Sequence, residues 1–280
     1  MFYLLKWLIQ MKIILNSSIL KKELKEIKNL GFVPTMGSIH KGHESLIKKS
    51  KKTCEYTIVS IYINPTQFNN LNDFKKYPKN INKDLKILKK LKVDLVFIPK
   101  TKDIYNFKRS KKISLSLKDK ILCAKYRKGH FEGVIDVMDR LTKLIKPNKI
   151  FMGEKDYQQF FLLKKFIEKR YPSKIINCKT IRDNKSIALS SRNILLKSKS
   201  LKIAANVVKE LRNIKKNLNK QKNVQIYLNE RIQNLIKNNK IKLEYLELRN
   251  LKNLNTSTTI KNSRLFIAYY LENTRLIDNL

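Results

Sequence analysis

Two histidines separated by Lys41 and Gly42 carry the first chemical signal in this chain. His40 and His43 end the segment Met36-Gly37-Ser38-Ile39-His40-Lys41-Gly42-His43, which follows an apolar run at 32–35 and leads into a helical pattern at 43–54. Backbone N–H groups and the dipole at a helix N-terminus favour an anion. Imidazoles at i and i+3 can reach one phosphate chain together, and Gly42 lets the backbone come close. All three histidines and five of the six glycines fall in three short segments, 34–47, 128–134 and 151–159. The rest of the chain is heavy in Lys, Asn, Ile and Leu. That concentration marks a site, and H-x-G-H marks a phosphate.

Other segments offer groups that a phosphorylated ligand and a small polar substrate need. Gly153-Glu154-Lys155-Asp156 supplies a mobile cation and an acceptor for hydroxyls or a metal. Gln159 follows Lys155 by about one helical turn, so both can face one pocket. The same residues also read as a charged helix start capped by Asp156. Leu189-Ser190-Ser191-Arg192 offers hydroxyls and a guanidinium for a triphosphate, or a Ser-rich turn into a helix. Asn64 and Gln67 in NPTQF are neutral amides suited to hydroxyl and carboxylate groups, or parts of an Asn-Pro turn. Asp84 either reaches Mg²⁺ through water or faces solvent, and its place in a charged helical pattern favours solvent.

The elements that must position these groups alternate. Helical patterns cover 19–29, 43–54, 81–92, 132–146 and 156–170, and strand patterns cover 32–35, 57–63, 94–98, 149–152 and 174–180. This predicts an α/β fold with a parallel sheet and helices on both faces. The H-x-G-H, NPTQF and GEKD motifs then lie just past the carboxyl ends of three strands, where open α/β sheets bind ligands. From about 181 the texture changes to helices at 200–218 and 223–238 and strands near 242–248 and 264–271. Two domains follow, 1–180 and a smaller α+β unit at 181–280. No Pro/Gly/Ser linker separates them, so they should pack closely. Residues 1–10 read as an extension before a strand beginning at Met11. They are apolar but too short to span a bilayer, and they lack a small-residue cleavage site.

With 62 Lys and Arg against 22 Asp and Glu, the formal charge is +40. The lysines are spread along the whole length with no basic tail or basic–aromatic block. The joint enrichment of Lys, Asn and Ile reads as an AT-biased genome acting on tolerant surface positions rather than as a nucleic-acid footprint. A hydrophobic fraction of 42% supports a real core. Cys54, Cys123 and Cys178 are odd in number and unpaired in spacing, which fits a reducing cytoplasm.

Taken together, PTMGSIHKGHESLI, SIYINPTQFN, the Tyr-Pro at 77–78, KGHFEGV, FMGEKDYQQ, ALSSRN and TRLIDN resemble, in order and spacing, the pantothenate synthetase (pantoate–β-alanine ligase) family over residues 11–280. The resemblance implies a Rossmann-like nucleotidylyltransferase domain with a smaller C-terminal lid domain, assembled as a homodimer. It implies condensation of pantoate with β-alanine at the expense of ATP and Mg²⁺, through a pantoyl-adenylate, with release of pyrophosphate and AMP. On that reading Met36–His43 line the ATP site, and His40 and His43 contact phosphates, His43 as the proton donor. Gly153, Glu154, Lys155 and Asp156 hold the nucleotide, Lys155 on phosphate and Asp156 near the ribose. Leu189–Arg192 close over the triphosphate, Ile181 meets the base, and Gln67 and Gln159 bind pantoate. The chain departs from the family pattern at Lys128, Asp136 and Met138. If the inner face of that helix lines the pantoate pocket, Asp136 and Met138 change its shape or charge. A tRNA synthetase with the same H-x-G-H would need a tRNA-reading domain, and a decayed nucleic-acid binder would not keep these motif residues.

Overall fold

The computed structural model describes residues 10–69, 71–105 and 113–280, so the extension read at 1–10 lies almost wholly outside the described residues. The first part contains β1 (Lys12–Ile14), α1 (Ser17–Glu23), β2 (Leu30–Thr35), α2 (Lys41–Thr53), β3 (Tyr56–Ile61), α3 (Leu71–Lys76), α4 (Ile81–Lys90), β4 (Leu95–Phe97) and α5 (Thr101–Ile104). It continues through α6 (Cys123–Tyr126), α7 (His130–Ile145), β5 (Lys149–Gly153), α8 (Tyr157–Arg170) and β6 (Lys174–Cys178). The remainder is α9 (Ser198–Leu218), α10 (Val224–Asn239), β7 (Lys242–Asn250), β8 (Ser263–Leu271) and β9 (Thr274–Asn279).

The first six strands form one parallel sheet in the order β1-β4-β3-β2-β5-β6. Successive side chains on a strand face opposite sides, and the core divides accordingly. Phe32, Ile58, Leu95 and Ile150 pack with α1, α7 and α8 on one face. Val33, Val59, Val96 and Phe151 pack with α2 and α4 on the other. The chain winds outward from β2 to β3 and β4, then returns to the far side of β2 for β5 and β6. The strand order therefore reverses between β2 and β5, and a crevice opens there beyond their carboxyl ends.

The last three strands form an antiparallel sheet, β7-β8-β9. Leu246, Leu248, Leu265 and Ile267 on one face bury α9 and α10. Tyr245, Phe266 and Ala268 on the other face join the core of the first part. The Tyr157 and Phe266 rings meet 5.9 Å apart across that seam.

Helix α1 stops at Glu23, short of the 19–29 expected. Lys25 N–H donates to Lys22 and Ile27 N–H to Leu24, so the chain tightens into i→i−3 turns at its end. Strand β9 was legible only as the motif TRLIDN, because its apolar and polar residues do not alternate.

Candidate active site

At the crevice, β2 runs into a loop whose backbone turns through left-handed geometry at Gly37 (φ 80°) and Ser38 (φ 53°). Asp84 in α4 holds that turn. Its two carboxylate oxygens accept the Ser38 N–H at 2.9 Å and the Ile39 N–H at 2.7 Å, and the side chain is 1% exposed. This corrects the expectation that Asp84 faces solvent. A charged residue in an amphipathic helix reads as solvent-facing, but here it is spent on backbone donors that would otherwise be buried without partners.

The loop delivers His40 as the N-cap of α2. His40 Nδ1 accepts the Gly42 N–H at 3.1 Å, and His43 Nδ1 accepts the His40 N–H at 3.4 Å. Each accepting Nδ1 leaves the proton of the neutral ring on Nε2. Gly42 has a steric role: a Cβ there would lie 2.7 Å from the His40 ring. The close approach that this glycine permits is that of an imidazole. Burial, followed by the charge of Lys155, lowers His40 to about 4. Burial, then His40 and Lys155, lowers His43 to about 3. Both rings are neutral N–H donors at pH 7.

Strand β5 supplies the other wall. Gly153, Lys155, Asp156 and Gln159 line the same cavity of about 250 Å³ as Met36, His40, Gly42 and His43. Lys155 is largely sheltered and lies 3.6 Å from Asp156. A hairpin closed by Leu189 N–H to Ile181 O at 2.9 Å brings Ile181 and Leu189–Arg192 to the cavity. Ser191 Oγ meets Tyr77 Oη at 3.0 Å, and Arg192 pairs with Asp73 at 2.9 Å.

Beyond β3, Asn64 caps a single 3-10 turn over Pro65–Gln67. The Gln67 amide reaches Met36 Sδ at 2.7 Å, and Asn64 Nδ2 reaches Gln67 Oε1 at 3.4 Å. Val134, Val137, Met138 and Leu141 of α7 close this end with apolar surface. The two departures on α7 thus separate. Met138 lines the cavity. Asp136 instead engages Arg140 at 3.0 Å, outside the cavity lining. Lys128 is exposed, and its carbonyl accepts from Asn69.

The side chains of Ser38, Ile39, Lys41 and Glu154 do not line the cavity. Ile39 is packed into the sheet core, Lys41 is exposed, and Glu154 turns to Arg264 and Asn177. Sequence reasoning missed Arg127 and gave His130 no role. His130 Nδ1–H donates to Gln67 O at 2.6 Å, leaving Nε2 to accept from Arg127 Nη1 at 2.7 Å. Burial, followed by Arg127, lowers His130 to about 3. Burial, then the nearby Arg192 and Arg275, lowers Arg127 to about 10. Only the two glycines and the histidine of KGHFEGV hinted that an arginine one turn before that histidine would matter.

The arrangement places cations and neutral donors at the switch point, with paired amides and an apolar wall beside them. It suits the transfer of a nucleotide phosphoryl group to a small carboxylate-bearing substrate. Among the described residues no cluster of three or more metal-ligating side chains occurs, and no helix is long and apolar enough to cross a membrane.

Comparison with known proteins gives a consistent result. The family model described as pantoate-beta-alanine ligase matches residues 10–280. A pantothenate synthetase of Francisella tularensis subsp. novicida is 40% identical over 268 residues, 92% of this chain and 94% of that protein. The pantothenate synthetase of Francisella tularensis subsp. mediasiatica is 39% identical over 262 residues, with 93% and 92% covered. The crystal structure of the Thermus thermophilus pantothenate synthetase superposes with a TM-score of 0.89 at 28% identity, covering 96% of this chain and 98% of that one. The Francisella tularensis pantoate-beta-alanine ligase, crystallised with beta-gamma ATP and beta-alanine, gives 0.81 at 38% identity, covering 96% and 97%.

Proposed function

The chain belongs to the pantoate–β-alanine ligase family, and from that premise we infer that it condenses pantoate with β-alanine at the expense of ATP, forming pantothenate. The single observation that carries the reading is the convergence of His40, His43, Lys155 and Arg192 on one cavity with Gln67 and Gln159. A polyphosphate and a small hydroxy acid can therefore lie side by side.

In the first step a pantoate carboxylate oxygen bonds to the α-phosphorus of ATP, the bond from that phosphorus to the bridging oxygen breaks, and pyrophosphate leaves. Pantoate is ionised at pH 7, so this step needs no base. It needs alignment, and donors for the charge that develops on phosphate oxygens. We assign the Nε2–H donors of His40 and His43, the Lys155 ammonium and the Arg192 guanidinium to that charge. His43, as a neutral ring, serves as a hydrogen-bond donor. Arg192 holds Asp73 through one nitrogen, and its other N–H donors can turn to phosphate. Gln67 and Gln159 orient pantoate, with the α7 wall against its apolar carbons.

In the second step the free amine of β-alanine bonds to the acyl carbon, and the carbon–oxygen bond to AMP breaks. The amine proton passes to the departing AMP phosphate or to water. Arg127, held by His130 beside Gln67, is the cation placed for the β-alanine carboxylate. Mg²⁺ suits the site as a companion of the triphosphate, since it takes one or two carboxylates together with substrate phosphates. Asp156 at the rim is the carboxylate on hand, and a bound ion would neutralise phosphate charge. Residues 181–280 acting as a lid, a homodimeric assembly and a cytoplasmic setting belong to the same proposal and rest on family membership.

The test is product analysis with each substrate omitted in turn. AMP and pantothenate should appear in equal amounts only when ATP, pantoate and β-alanine are all present. Folded protein that makes no pantothenate under those conditions overturns the reading.

A further inference from the structure

The last two residues of β9 reach back into the site. Asn279 is 4% exposed, one residue from the end of the sequence. Its side-chain NH₂ donates to the carbonyls of Glu154 at 2.9 Å and Lys155 at 2.8 Å. Its Oδ1 accepts from Arg264 Nη1 at 2.9 Å, and the other arm of Arg264 binds the Glu154 carboxylate. The amide therefore has one workable orientation. Reversed, it would aim oxygen at two carbonyls and NH₂ at a guanidinium. Asp278, on the opposite face of the strand, takes both arms of Arg182 at 2.6 and 2.8 Å. Arg182 pairs with Ala188 across the hairpin that carries Ile181 and Leu189 to the cavity. Neighbouring residues of the final strand thus fasten two separate nucleotide loops to the second sheet.

We propose that Asn279 is a positioning residue for the first half-reaction, fixing the Glu154–Lys155 backbone so that the Lys155 ammonium meets the polyphosphate. Glu154 and Lys155 lie in a single 3-10 turn between β5 and α8, beyond the last ladder pair of β5 at Gly153. A strand from the other sheet engages both carbonyls of that turn, and the position of the catalytic cation follows the position of β9. This inference rests on the reading of Lys155 as the phosphate cation.

The test is a double-mutant cycle of N279A and K155A. It is read by pantoate-dependent pyrophosphate formation at saturating β-alanine, which permits turnover, and by calorimetric binding of a nonhydrolysable ATP analogue. A misplaced group of this kind costs about 10–100-fold, so N279A should lower kcat by that factor with pantoate KM within about twofold. In the K155A background N279A should change kcat by less than about twofold, because both substitutions remove one function. Thermal melts establish that each variant is folded. If N279A does not fold, R264Q, which frees the amide without leaving the carbonyls facing a methyl group, is read in the same cycle. Wild-type kinetics, or an equal loss with and without Lys155, would overturn the inference. If the wild-type chain makes no pantoate-dependent pyrophosphate, the functional reading fails. Analogue binding, weakened by N279A only when Lys155 is present, then still decides the positioning role, and unchanged or equally weakened binding overturns it.

Discussion

The His40 backbone fixes the tautomer of His43: the His43 ring accepts the His40 N–H at 3.4 Å, and the ring centroids stand 4.1 Å apart. Burial holds both rings far below the usual histidine value, helped by the charge of Lys155, and His43 is lowered further by the neighbouring His40. On the proposed function, a polyphosphate would bring negative charge to both rings. In the ligand-free protein the His40 and His43 ring resonances should stay in their neutral positions from pH 8 to pH 5. ATP should raise at least one of the two into the titrating range, measured by ¹H–¹⁵N NMR. Ordinary titration near 6.5 without ligand would contradict the geometry.

The same shifts make stability depend on pH with a definite sign. Each histidine has a lower pKa folded than unfolded, so the unfolded chain takes up protons first as pH falls below about 6.5. Stability is therefore fully present above that value and declines until the folded values near 3 to 4 are reached. His130 is 7% exposed. It alone should contribute a loss of about 1–2 kcal/mol between pH 7 and pH 5. His130→Asn should flatten the thermal-melt profile over that range.

Gly133 is pressed against the substrate turn. A Cβ there would meet the Thr66 carbonyl oxygen at 2.5 Å and Gln67 Cα at 3.1 Å. Both are backbone atoms, so the turn must move. G133A should raise the pantoate KM about 10-fold through the displaced Gln67, and leave the ATP KM within about twofold. Denaturant titration should show a loss of about 1–3 kcal/mol from overpacking.

Asp84 gives a different signature. D84N replaces one acceptor oxygen by an NH₂ group, which must face one of the two N–H donors of the Ser38–Ile39 turn. The variant should lose about 2 kcal/mol of stability and bind ATP more weakly, with pantoate binding little changed. Unaltered ATP affinity in a folded variant would remove Asp84 from the support of the phosphate loop.

Arg127 separates the half-reactions. R127A should leave pantoate-dependent pyrophosphate formation within about threefold of wild type, while raising the β-alanine KM by about 10-fold or more, the cost of an ionic contact to a carboxylate. Equal damage to both steps would place the guanidinium on the nucleotide instead.

The alternation of strands and helices was legible because β-branched runs such as TIVSIYI and helices such as 156–170 are locally consistent with their tertiary setting. The H-x-G-H, NPTQF and GEKD motifs were legible because each follows a strand directly. Asp84 was misread because its partners are backbone groups more than forty residues away, which no local pattern encodes. Arg127 and Asn279 were missed for the same reason. Each becomes meaningful only when a loop of one element is brought against another, Arg127 beside Gln67 and Asn279 beside Lys155. Helical spacing puts the two departures on different sides of α7, but which side faces the cavity is set by packing against β3 and the Gln67 turn, which no local pattern encodes.

The central claim is that pantoate is activated on the enzyme before the amine arrives. Exchange of labelled pyrophosphate into ATP tests it most directly. With pantoate present and β-alanine absent, exchange should be rapid, should vanish when pantoate is withheld, and should fall about 10²–10³-fold in K155A. Exchange that requires β-alanine, or none from folded protein at any pantoate concentration, would contradict the account.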